Sequence, residues 1–122
     1  MNEWAWVATG GAAGSMIRYL IARLIPVPPQ GFPVATLIAN VVSCVVAGLV
    51  WVWLARRTGV PDAVRLLVIT GFCGGLSTFS TFSLETSRLM LQGQWGLAAG
   101  YVAASLLCCL LVMYGLMRLG TA

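Results

Sequence analysis

Four apolar runs, each at least as long as the roughly 20 residues a helix needs to cross a hydrocarbon core, take up almost the whole chain. They extend from about Trp4 to Ile25, Val34 to Ala55, Ala63 to Leu91 and Trp95 to Leu119. The pieces between them are short. One is a loop with four prolines and a glycine from Pro26 to Pro33; another is a polar turn from Arg56 to Asp62. Of the 122 residues, 60% are hydrophobic and 8% are charged, whereas a soluble domain runs at roughly 25% charged. So few charges cannot solvate a globule, and the balance is the reverse of a disordered chain's. The sequence therefore predicts one all-α integral membrane domain over residues 1–122, with helices at 4–25, 34–55, 63–91 and 95–119.

All seven basic residues are Arg, and most stand at the ends of apolar runs. That pattern reads as interfacial anchoring, not as a nucleic-acid footprint. With no Lys and no His, the means for acid–base and nucleophilic catalysis are thin, so no enzyme is expected. Arg56, Arg57, Arg65 and Arg118 share a side with the N-terminus, against Arg23 and Arg88 on the other, a weak bias toward the N-terminus inside. Glu3 and the lack of a basic leader favour a retained first helix over a signal peptide. Cys44, Cys73, Cys108 and Cys109 lie within apolar runs without metal-ligand spacing, and are expected as reduced, buried small residues.

The polar residues inside the runs carry the functional signal. Gly10 and Gly14 form a small-xxx-small pair that lets two backbones meet. Arg18, deeper in the same run, must face protein or water. Thr36, Asn40 and Ser43 share one face of the second run. Asn40 lies far enough inside that its amide must either join another helix or line a wet path. The third run holds Gly71, Gly74 and Gly75, then Ser77-Thr78-Phe79-Ser80-Thr81-Phe82-Ser83, in which five of seven residues carry hydroxyls. Glycine costs a helix roughly 1 kcal/mol, and hydroxyls compete for its backbone bonds. A break is predicted there, and broken backbone at membrane depth survives only against protein or a cavity. Glu85 follows, read as a partner of Arg88 or as an acceptor for Thr81. In the fourth run Gly96, Gly100 and Ala104 make a small-residue stripe. Ser105, Cys109 and Met113 make a second, weakly polar one. Amide, hydroxyls and the positive edges of Phe rings suit a small dehydrated anion; clustered Arg for phosphate and acidic rings for cations are both missing.

At these residues the chain resembles the Fluc family of fluoride channels. The matching segments are Gly10-Gly11-x-x-Gly14 with Arg18-Tyr19, Thr36-Leu37-x-x-Asn40, and Gly71 through Ser83. The resemblance covers essentially the whole chain. It implies passive fluoride export across a cell membrane, in a bacterial inner membrane, by an antiparallel dual-topology homodimer with two pores, or by a heterodimer with an oppositely inserted homologue. By the same resemblance Phe79 and Phe82 match paired pore phenylalanines and Asn40 the pore amide. Ser80 and Thr81 match hydroxyls beside the ion path, Glu85 a nearby acidic partner and Arg18 a basic vestibule residue. Ser105 keeps the only hydroxyl of the fourth-helix stripe. The carbonyls of Gly74 and Ser77 match ligands of a central structural Na⁺, in keeping with a hard cation's preference for oxygen. The competing class is a small multidrug-resistance-type proton-coupled transporter, which would need a carboxylate in the middle of the first run, where this chain has Gly and Ser. A non-transporting assembly subunit is the third reading.

Overall fold

A computed structural model gives the fold. It describes residues 2–121, so the domain read as 1–122 extends one residue further at each end. The elements run α1 (Glu3–Leu24), α2 (Val34–Ala55), α3 (Asp62–Arg65), a π-helical segment (Leu66–Cys73), α4 (Gly74–Leu76), α5 (Phe79–Leu91) and α6 (Trp95–Thr121). Residues 62–76 thus form one half-helix and α5 the other half of the third rod. The wide π turn was not foreseen from composition.

Local chemistry sets the ends. Asn2 caps α1, its Oδ1 accepting from the Ala5 N–H at 2.9 Å. Beyond α5 stands Gly93 at φ 78°, a left-handed position that costs glycine nothing. There the Gln94 N–H returns to the Leu89 carbonyl (2.8 Å) and the Gly93 N–H to that of Met90 (3.0 Å). These paired bonds satisfy the last carbonyls and turn the chain straight into α6.

Among the described residues three units are long and apolar enough to cross a membrane: Val34–Ala55, the bent Asp62–Leu91 and Trp95–Thr121. α1 is as long as α2, at 22 residues, but is not apolar enough to join them. The reason lies in what α1 faces. A Cβ at Gly10 would strike the Leu67 carbonyl and the Phe72 N–H, and one at Gly14 the Phe72 carbonyl. From the other side, Gly71 meets the Val7 carbonyl and Gly75 that of Gly11. α1 therefore lies backbone to backbone along 62–76, held by small residues rather than by large apolar ones.

The rest is tied together by α6. α2 runs along it, with Gly48 against Leu116 and Gly120 against Val52. α5 packs on it through Leu89, Ala98 and Tyr101, surrounded by Phe32, Leu37, Phe82 and Met90. The outside is apolar: Leu106, Leu107, Leu110 and Leu111 of α6, Met16 and Leu20 of α1, and Leu84 of α5 are all exposed. Such a surface suits lipid or another protein, not water. The stripe of Gly96 and Gly100 has open space where their Cβ atoms would be, so it faces away from the chain's own helices.

Candidate functional site

The break in the third rod comes at Ser77 and Thr78, both extended, with φ/ψ of −79°/153° and −151°/120°. Gly74 and Gly75, where the break was expected to begin, are still helical, Gly74 at φ −63° and ψ −36°. Gly75 serves close approach to α1 rather than freedom of the backbone. The helix is ended by hydroxyls. Both the N–H (2.9 Å) and the Oγ (2.7 Å) of Ser77 donate to the Cys73 carbonyl. Ser43 of α2 donates to the same oxygen at 2.9 Å. Thr78 then starts α5, its Oγ1 accepting from the Thr81 N–H at 3.1 Å.

Two side chains from other helices hold this opened backbone. The Asn40 Oδ1 accepts from the Thr78 N–H at 2.8 Å, and its Nδ2 donates to the Thr78 carbonyl at 3.4 Å. One amide thus stands in for the helical partners that Thr78 lacks. Arg18 donates through Nε to the Gly75 carbonyl at 3.1 Å. That places a cation at the C-terminal, negative pole of the half-helix 62–76. So Asn40 joins its helix to the third rod, as the first sequence alternative expects, and it also lines a cavity.

A cavity lies on each side of the break. The first, about 260 Å³, is lined by Asn40, Ser77, Thr78, Phe79, Phe82 and Ser105, together with Cys44 and Cys109. The second, about 290 Å³, takes in Ser15, Arg18, Tyr19, Thr36 and Thr81. The structure therefore divides the sequence-predicted residues between two cavities. Ser80 and Glu85 line neither. Ser80 is exposed, its Oγ 3.3 Å from the Thr78 Oγ1. Glu85 accepts from the Tyr101 hydroxyl at 3.0 Å, a partner that neither sequence alternative, Arg88 or Thr81, names.

Phe79 and Phe82 lie with ring centroids 5.6 Å apart at 43°. Phe82 is half-buried, while Phe79 is 76% exposed; only the first is packed by its own chain. Phe82 leans on Tyr101, centroids 5.1 Å apart, and Phe32 meets the same ring edge-on at 5.4 Å. Tyr101 is fully buried and joins the aromatic pair to Glu85. Sequence reasoning missed it, although it stands four residues before Ser105 on the same stripe of α6. The Ser105 Oγ is buried in the cavity wall and has no hydrogen-bond partner. Buried hydroxyls are nearly always partnered; this one is not, and its residue lines the cavity.

The cysteines depart from expectation. All four are free, but only Cys73 is buried. Cys108 is exposed, and Cys44 and Cys109 are half-buried at the first cavity. Among the described residues no set of three or more His, Cys, Asp or Glu could hold a metal ion.

Comparison with known proteins places the chain in a family. Residues 5–116 match the model of the family described as CrcB-like protein, Camphor Resistance (CrcB). The fluoride-specific ion channel FluC of Magnetococcus marinus is 40% identical over 111 residues, covering 90% of each chain. That of Maridesulfovibrio salexigens is 39% identical over 100 residues, 81% of this chain and 79% of the relative. The Pseudomonas fluorescens Pf-5 channel is 44% identical over 100 residues, 81% of each.

Proposed function

This chain belongs to the CrcB family, and from that premise we propose that it conducts fluoride passively through the cavity beside the break in its third rod. It is a multi-pass membrane protein and an ion channel, not an enzyme. Hydrogen fluoride crosses lipid as a neutral acid and ionises in a near-neutral interior, where the anion is trapped. A pore then relieves the load down the electrochemical gradient. The ion must leave its water, so the path has to replace it with donors. The first cavity supplies them: the orphan Ser105 hydroxyl, the Asn40 amide, and the edges of Phe79 and Phe82, which carry the positive rim of the ring quadrupole. Arg18, at the second cavity, sets a positive field on the other side of the break. The observation that carries this reading is the Ser105 Oγ, buried without a partner in a cavity walled by aromatic rings.

A single chain leaves Phe79 bare and its outer faces apolar. Two inverted copies would cover those faces and close the missing wall of each pore, with lipid around the outside. Carbonyls of Gly74 and Ser77 fit the structural Na⁺ the resemblance implies. Gly74 is exposed with open space about it, both residues sit at the negative end of a half-helix, and oxygen is the donor a hard cation takes. One chain offers only part of such a ligand set, so the site needs both copies. When bound, the ion would neutralise two facing helix ends and tie the protomers together.

The test is fluoride efflux from liposomes holding only this purified protein, with chloride efflux recorded in parallel. Fast fluoride release without chloride release is expected. Equal release of both ions, or none from well-folded protein, would overturn the reading.

A further inference from the structure

The first cavity has a second chemical character that fluoride conduction does not use. Asn40 and Cys44 are one helical turn apart on α2, and Ser105 and Cys109 are one turn apart on α6; all four line the same cavity. An amide and a thiol from α2 and a hydroxyl and a thiol from α6 thus share one cavity wall. Both thiols line that one cavity from two packed helices, and neither is engaged in a disulfide. Cys73 is buried and Cys108 lies on the exposed outer surface of α6, so neither lines this cavity.

We propose that Cys44 and Cys109 form a two-thiol site for a thiophilic cation of the Hg²⁺, Ag⁺ or Cu⁺ class, and that its occupation closes the cavity to fluoride. Soft thiolate ligands select such metals, and these ions are satisfied by two sulfurs in a line, so no third ligand is required. With Hg²⁺ both S–H bonds break, two S–Hg bonds form, two protons pass to solvent, and no electron changes hands. The product is uncharged, so the bound metal leaves no net charge in the cavity. Because the protons must leave, binding strengthens as pH rises. Two sulfurs held on one scaffold bind the second bond intramolecularly, which is worth on the order of 100-fold or more over a single thiol.

The closing clause rests on the fluoride reading; the binding clause does not, and the experiment separates them. Purified protein is mixed with one equivalent of Hg²⁺, desalted, and its metal content measured per chain. In parallel, fluoride efflux is recorded from liposomes before and after the metal, each variant against its own metal-free rate. One Hg²⁺ per chain that survives a wash with a competing monothiol is expected in the wild type and in C108S, and is expected to be stripped from both C44S and C109S. Phenylarsine oxide, which bridges two thiols, should lower this wash-resistant retention when added to unmodified protein before the metal, so the result does not hang on the variants folding. Retention unchanged in C44S or C109S, or no retention in the wild type, overturns the site. Retention with an unaltered fluoride rate overturns the closing clause. Wild-type protein that retains Hg²⁺ but conducts no fluoride before the metal supports the site and overturns the channel reading.

Discussion

Ser105 separates structural from functional need within a single side chain. Its Oγ is buried and unpartnered, a state that costs the fold about 1–3 kcal/mol by the usual price of an unsatisfied hydroxyl. Ser105→Ala should therefore leave thermal stability unchanged or raise it, while lowering fluoride efflux. A measured drop in both would mean the hydroxyl has a structural partner instead. Phe82 makes a second such case. Its ring is packed against Tyr101 and lines the cavity, so an aliphatic residue of similar bulk keeps much of the packing and removes the electropositive edge. Phe82→Ile should reduce fluoride efflux with the protein's solution mass unaltered; efflux at the wild-type rate would set aside the ring edge as a ligand. Tyr101, unnoticed in the sequence, links Glu85 to the aromatic pair: the carboxylate accepts from the phenol that Phe82 leans on.

The third rod was the most informative segment in the sequence and also the one where reading it alone went astray. The density of hydroxyls told that the helix breaks, because Ser and Thr offer the backbone alternative partners. It could not tell that the glycines before them stay helical, since that depends on α1 lying against them. Nor could spacing tell that Ser80 turns outward, or that Glu85 reaches to α6 rather than along its own helix; both follow from where the break leaves α5. The helix limits and the Gly10–Gly14 contact were legible because hydropathy and small-residue spacing act locally. Two predictions follow from how the break is held. Asn40→Ala leaves the Thr78 N–H and carbonyl without their partner, at a cost of about 1–3 kcal/mol. A lower melting temperature in detergent is expected, together with reduced fluoride efflux. Gly75→Ala drives a Cβ into the Gly11 carbonyl. Backbone gives way far less readily than a side chain, so the cost should exceed the roughly 1–3 kcal/mol of ordinary overpacking, read as poor recovery of folded protein.

The molecule as a whole leaves large apolar groups bare. Phe79 stands 76% exposed at the rim of the first cavity, and a row of leucines on α6 is exposed. The weak Arg bias of four against two puts little obstacle before insertion in both orientations, which an inverted pair requires. Gly74 lets the pairing be tested apart from the fold. A Cβ there meets nothing within 4 Å in its own chain, and the residue is helical, where replacing glycine gains roughly 1 kcal/mol of propensity. Within one chain, Gly74→Leu should therefore be tolerated or mildly stabilising. If the Gly74 face meets a second copy around a shared cation, the same leucine intrudes on the axis and on the carbonyls that would ligate it. The expected outcome is a chain with wild-type helicity whose detergent-corrected mass falls from two copies to one, and whose fluoride efflux is lost. A Gly74→Leu protein that keeps both mass and efflux would place the interface elsewhere. One that loses helicity as well would mean that the chain does not hold its fold without its partner.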